Sequence, residues 1–78
     1  MFVVNVNLNS IDGVKEFVNI MSKKDFDADL VSDRYVIDAK SIMGIFSLDL
    51  TKSKELHVHT DDQKVFDEFK AEIAKFIA

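Results

Sequence analysis

The sequence of 78 residues lacks cysteine and proline altogether, and it contains only two glycines and a single arginine. Without cysteine there can be no disulfide, thiolate metal ligand or cysteine nucleophile, which fits a reducing compartment such as the cytoplasm. No apolar run approaches the roughly 18–20 residues that cross a bilayer, so no membrane span is expected. Residues 1–10 carry no basic leader and do not resemble a signal peptide.

Positive charge is also scarce. The chain has 10 basic and 14 acidic residues, which gives a net charge of −4. The basic residues are scattered, whereas a nucleic-acid-binding domain concentrates them on one face, so direct nucleic-acid binding is not expected. Two isolated glycines do not make a phosphate-binding loop. No catalytic triad can be assigned either, and we therefore expect a protein that is not an enzyme.

Apolar residues are abundant at 47% of the chain, and seven of them are phenylalanine. This is enough material for a core, and the length fits a single domain over residues 1–78. Alternation of apolar and polar residues predicts four strands, at residues 2–8, 26–31, 35–38 and 55–60. The turn at residues 32–34 joins the second and third strands into a hairpin.

Three amphipathic helices are predicted from apolar residues at three- and four-residue spacing, at residues 11–23, 41–48 and 61–76. The first is expected to begin at Asn9 or Ser10, the second at Ser41, and the third at Thr60 or Asp61, because these side chains favour helix N-caps. The first helix uses an apolar face that comprises Ile11, Val14, Phe17, Val18 and Met21.

The resulting order, β-α-β-β-α-β-α, predicts an α+β fold in which an antiparallel four-stranded sheet carries all three helices on one face. The opposite face should meet solvent, and it would carry Asn5, Asn7, Asp27, Asp29, His57 and His59. This order alone does not give a function, since unrelated families share it.

The segment at residues 39–50 reads AKSIMGIFSLDL. It resembles the regulatory segment of HPr, the histidine-containing phosphocarrier family of the bacterial sugar phosphotransferase system. Lys40, Ser41, Ile42, Met43 and Gly44 match that pattern residue by residue. The order of elements matches along the whole chain, and the resemblance implies the HPr fold, an open-faced β-sandwich.

In the HPr proteins of Gram-positive bacteria, the serine at this position is phosphorylated by a dedicated HPr kinase. The resemblance therefore implies a regulatory phosphorylation site at Ser41. An apolar patch beside it would contact protein partners together with Lys40, although core packing should claim at least half of the patch. Its members are Ile42, Met43, Ile45 and Phe46.

HPr proteins also carry a phosphocarrier histidine at the first helix, followed two residues later by arginine and then by proline. Residues 1–56 contain no histidine, and the chain's arginine lies in the hairpin. One alignment places Ser10 at the histidine position and Asp12 at the arginine position. A second places Asp12 at the histidine position, and a third shortens the loop. Under each alternative the phosphocarrier residues are absent.

The resemblance thus predicts a regulatory or binding protein that does not transfer phosphate through histidine. In this respect it is similar to serine-only relatives of HPr, which serve as cofactors of a catabolite-control transcription factor. A phosphocarrier that uses an unusual residue is one alternative. An HPr-like scaffold with an unrelated partner is another.

Two histidines, His57 and His59, occur two residues apart on the predicted fourth strand. Their side chains should share one face at a distance of roughly 6.5–7 Å, and Glu55 could join them. Two imidazoles make only an opportunistic metal site. We therefore expect both to be solvated and predict neither a metal nor a cofactor.

Overall fold

The computed structural model describes residues 1–78 and contains four strands, three α-helices and a short 3₁₀ turn. The strands are β1 (Phe2–Val6), β2 (Ala28–Ser32), β3 (Tyr35–Asp38) and β4 (Lys54–Val58). The helices are α1 (Ile11–Met21), α2 (Ile42–Phe46) and α3 (Gln63–Glu72), and the 3₁₀ turn spans Ala74–Phe76. None of the helices is long and apolar enough to cross a membrane.

The four strands form one antiparallel sheet in the order β1-β4-β2-β3. Leu56 of β4 lies opposite Val4 on one side and Leu30 on the other, and Leu30 in turn lies opposite Ile37. Directly paired residues share a face of the sheet, so this row of aliphatic side chains points to one side. The predicted antiparallel sheet is confirmed.

The core lies between the sheet and the helices. Phe17 of α1 is fully buried, and its ring meets Phe76 edge to face at 5.8 Å between centroids. Phe69 of α3 packs against Phe26 in the same manner at 5.2 Å. A single cluster of 16 buried residues joins the inner face of the sheet to all three helices, which confirms that the helices share one face.

Several predicted boundaries shift. The third helix is capped by Asp62, not by Thr60 or Asp61, because the Asp62 carboxylate accepts hydrogen bonds from the amides of Lys64 and Val65 at 3.0 and 3.3 Å. The Thr60 hydroxyl instead accepts a bond from the Asp62 amide. The prediction of a capping role for Thr60 or Asp61 was therefore wrong by one or two positions.

The first helix begins as predicted, with Ser10 as its N-cap, but it ends at Met21 rather than at residue 23. Ile11 was assigned to the apolar face and is in fact exposed. Phe26 precedes β2 rather than belonging to it, since the backbone pairing of the strand begins at Ala28, and its ring packs against Phe69 of α3.

Lys54 is the only charged side chain among the buried residues, and sequence reasoning did not anticipate it. Its side chain points to the inner face at the start of β4, with only 2% of its surface exposed. The ammonium group donates hydrogen bonds to the backbone oxygens of Asp49 at 2.8 Å and Lys52 at 2.7 Å. Lys54 therefore closes the loop between α2 and β4. Burial lowers its pKa, and the nearby Asp49 carboxylate opposes that shift.

The buried lysine makes stability depend on pH. Between the lowered pKa of folded Lys54 and its ordinary value of 10.5, the unfolded chain binds more protons than the folded one, so raising the pH favours folding. Relative to a Lys54→Met variant, the wild-type protein should gain stability as pH rises through this window. Urea unfolding of both proteins at neutral pH and at a pH close to 10.5 measures the difference between their free energies of unfolding. A difference independent of pH would contradict the expectation.

Candidate functional site

Ser41, for which the sequence predicts a regulatory role, lies at the N-terminus of α2. Its backbone is extended, its carbonyl accepts the first helical bond from Ile45, and its hydroxyl oxygen accepts a hydrogen bond from the Gly44 amide at 3.2 Å. The side chain is half-buried. Ser41 is thus a helix cap whose hydroxyl stays close to the surface.

Gly44 permits the close approach of α2 to the sheet, a role that its match to the family pattern did not explain. A Cβ added at this position would lie 2.6 Å from Cγ2 of Ile37 on β3 and 3.1 Å from the hydroxyl of Ser41. The absence of a side chain therefore keeps the helix against β3 and leaves room for the capping hydroxyl.

A Gly44→Ala variant should lose stability even though alanine favours helix more than glycine by about 1 kcal/mol. The added methyl group overlaps the partly buried Ile37, which packs against the core, and such overpacking costs about 1–3 kcal/mol. Thermal unfolding followed by circular dichroism measures the loss. Gly13→Ala is a useful comparison, because there the nearest atom, at 2.9 Å, belongs to a surface hydroxyl. Equal effects at both glycines would contradict the packing argument.

The predicted apolar patch divides between surface and core. Met43 is the most exposed large apolar residue of the protein at 76%, and Ile42 and Phe46 are partly buried. Ile45 is fully buried within the core cluster, so its prediction as a partner contact is corrected. A residue with no exposed surface stabilises the helix but does not contact a partner.

Lys40 precedes the cap and lies near the end of α1. Its ammonium donates a hydrogen bond to the Lys24 backbone oxygen at 3.0 Å and lies 3.8 Å from the Asp27 carboxylate. We use the name α2 surface for the exposed or partly exposed residues of this region, which are Lys40, Ser41, Ile42, Met43 and Phe46.

The predicted degenerate loop lies at the other end of α1. The Ser10 hydroxyl accepts a hydrogen bond from the Gly13 amide at 3.0 Å, and Asp12 is exposed in the first turn. Both line an open cleft of about 450 Å³, together with Glu16 and Lys75, which pair with each other. The cleft therefore presents the carboxylate of Asp12 beside a Glu16–Lys75 pair whose charges neutralise each other.

The structure does not bring Ser10 and Ser41 together. Ser10 caps the start of α1, whereas Lys40 ties the Ser41 segment to Lys24, just beyond the end of α1. An 11-residue helix is about 16 Å long, so Ser10 and the Ser41 segment lie toward opposite ends of α1.

The two histidines lie on the open face of the sheet and not at the α1 cleft. His57 is opposite Val3, and its Nε2 is 2.9 Å from a Glu55 carboxylate oxygen. His59 lies past the end of β4, with Nε2 at 2.8 Å from Asp29. Since α1 follows the opposite end of β1 and packs on the other face, neither ring reaches the cleft. No group of three or more potential ligands is arranged to hold a metal ion.

Comparisons with known proteins agree with this architecture. A family model described as the PTS HPr component phosphorylation site matches residues 12–78, which leaves β1 and Ser10 outside the matched region. A crystal structure of HPr-C-His from Thermoanaerobacter tengcongensis superposes with a TM-score of 0.75 and 24% sequence identity, and covers 96% of this chain and 89% of that one. No curated protein matches the chain.

Proposed function

This chain belongs to the HPr family, and on that basis we propose that it is a regulatory or binding protein controlled at Ser41 rather than a carrier of phosphate on histidine. The observation that carries the proposal is the position of Ser41, a helix-capping hydroxyl at the surface beside the exposed Met43. The same family membership supports protein partners and a place in the bacterial cytoplasm.

A phosphate on Ser41 would be accommodated without unfolding the domain. The Gly44 amide that now bonds to the hydroxyl at 3.2 Å could bond to a phosphate oxygen instead, and the start of α2 favours negative charge. The new charge would lie within a largely apolar α2 surface. Phosphorylation would therefore change what that surface can bind, while the core beneath it stays intact.

The proposed partners are an HPr kinase and a catabolite-control transcription factor. The contacts available to them are Lys40, Ile42, Met43 and Phe46, whose side chains keep exposed area around Ser41. Met43 suits such a role because its flexible thioether adapts to differently shaped partners.

The α1 cleft supports the loss of histidine transfer. A serine hydroxyl has too high a pKa to relay phosphate at neutral pH, and the Ser10 oxygen is already engaged as a cap. Asp12 would repel an incoming phosphate, and Lys75 is already paired with Glu16. An acyl phosphate on Asp12 would need a metal and further carboxylates, so an ordinary phosphocarrier remains the weaker alternative.

The test is incubation with HPr kinase and ATP, followed by intact-mass measurement. We expect the wild-type protein to gain one phosphoryl group and a Ser41→Ala variant to gain none. Ser47→Ala is the matched control, because Ser47 lies at the other end of α2 and its hydroxyl binds the Gly44 oxygen. Failure of the wild type to gain phosphate, or modification that persists in Ser41→Ala, would favour a scaffold whose serine is only a cap.

A further inference from the structure

We propose that two copies of this protein associate through the free edge of β3, which pairs antiparallel with β3 of the second copy about a twofold axis at Val36. The proposal is independent of Ser41 and of its phosphorylation. It follows from the hydrogen-bonding groups, the exposed apolar residues and the charges of one edge strand.

The backbone of β3 leaves the Val36 amide, the Val36 carbonyl and the Asp38 amide without a partner, whereas the Asp38 oxygen accepts a bond from the Ser41 amide at 2.9 Å. Ser32 and Tyr35 close the two-residue hairpin turn, and the Ala39 amide donates to the Ala28 oxygen at 2.9 Å. Bonding residues alternate along an antiparallel strand, so Tyr35 and Ile37 face β2 while the amides of Val36 and Asp38 point away from the sheet. Val36 therefore offers both its amide and its carbonyl to a partner.

The opposite edge of the sheet is protected. The Ile77 backbone bridges to Val6 of β1, the Ala78 amide donates to the Asn5 oxygen at 2.9 Å, and the Asn7 amide donates to the Phe76 oxygen at 2.7 Å. At Val36, β3 has no such cover, and the strand contains none of the proline, lysine or bulge that commonly block an edge strand. At Asp38, the amides of Ser41 and Lys40 bond to the backbone oxygen and to the carboxylate.

Exposed apolar surface coincides with this free edge. Tyr35 and Val36 are 64% and 65% exposed. On the adjacent strand β2, by contrast, Leu30 and Ser32 are buried. In the proposed pairing, Val36 lies opposite its own copy, and Tyr35 lies opposite Ile37 of the other molecule. Cross-strand contacts of this kind typically stabilise a pair of strands.

The charges select a second copy of this chain as the partner. Arg34 and Asp38 are both exposed, and neither forms a salt bridge within the chain. Centring the pair on Val36 places Arg34 of each molecule opposite Asp38 of the other. Asp38 also lies directly opposite Asp29 in the sheet, whose carboxylate is bonded to His59, so the arginine would give Asp38 a cation that it lacks within its own chain.

Sedimentation velocity over a concentration series tests the association. We expect the wild type to shift from monomer toward dimer between about 10 µM and about 1 mM, as mass action requires. Val36→Lys should remain monomeric because it places two ammonium groups at the axis. Val3→Lys is the matched control, since Val3 is an exposed valine on the other edge, and it should dimerise like the wild type.

A charge variant tests the register. Arg34→Glu should weaken association by opposing Asp38 of the second copy, and the double variant Arg34→Glu with Asp38→Arg should restore it. Circular dichroism establishes that each variant is folded. A wild type that stays monomeric at the highest concentration, or a Val36→Lys protein that dimerises like the wild type, would overturn the proposal.

Amide hydrogen exchange gives a second readout that does not need a variant. At high concentration, exchange of the Val36 and Asp38 amides should slow by roughly tenfold or more, because only the outward amides gain partners. The Tyr35 and Ile37 amides already face β2 and should show no comparable change. Uniform slowing along β3, or slowing confined to β1, would contradict edge pairing.

Discussion

Incubated with phosphoenolpyruvate and enzyme I at neutral pH, the protein is expected to gain no phosphoryl group. Histidine is the residue whose ordinary pKa lies near neutrality and allows rapid loading and release of phosphate. His57 and His59 lie on the open sheet face and are each bonded to a carboxylate. The start of α1, where the family carries its histidine, presents Ser10 and Asp12 instead.

Intact mass under non-acidic conditions measures the outcome, since phosphohistidine is labile in acid. An HPr protein that carries the histidine, treated with the same enzyme I, shows that the enzyme is active. An acid-labile phosphoryl group on this chain would contradict the proposal that it does not carry phosphate on histidine, and would favour the phosphocarrier alternative. A His57→Gln, His59→Gln double variant would then establish whether the sheet histidines carry it.

Phe17→Ala should remove most of the stability of the domain. Phe17 is fully buried in α1 and meets the Phe76 ring edge to face at 5.8 Å, so its truncation leaves a cavity between α1 and the C-terminal 3₁₀ turn. Losses for buried phenylalanine are about 3–5 kcal/mol, whereas whole domains are stable by only about 5–15 kcal/mol. A chain of this size is expected near the lower end of that range.

Urea unfolding followed by circular dichroism measures the effect. Tyr35→Ala is the matched aromatic control, because Tyr35 is 64% exposed on β3 and its truncation should change stability by no more than about 0.5 kcal/mol in the monomer. Both variants are measured at low protein concentration, so that the proposed dimerisation through β3 does not contribute to the stability difference. Similar losses at both positions would contradict the assignment of Phe17 to the core.

Local patterns predicted most of the fold. Alternation marked β1 and β4, where Leu56 and Val58 are buried and His59 is exposed as expected. Helical spacing marked α1 and α3, since a helix of three turns repeats its apolar positions often enough to define a face. The sequence predicted the ends of the helices less accurately, since α3 is capped by Asp62 rather than by Thr60 or Asp61. Neighbouring residues with similar preferences for the N-cap position compete, and tertiary contacts decide among them.

The candidate site was only partly predictable. The position of Ser41 before α2 followed from its residue type and from the family pattern. The division of residues 42–46 into surface and core did not, because a helix of five residues is too short for periodicity to distinguish its faces. Packing of α2 on the core decides that Ile45 is buried and Met43 exposed, and contact with Ile37 of β3 leaves no room for a side chain at Gly44.

Sequence alone determined that the phosphocarrier histidine is missing from residues 1–56, because no fold can supply a side chain that the chain does not contain. It also determined the order of elements that leads to the HPr fold. Tertiary structure decided where the remaining chemistry lies: it places Ser10 and the Ser41 segment toward opposite ends of α1 and holds both histidines on the open face. Those placements depend on which strands pair, and pairing joins residues far apart in sequence.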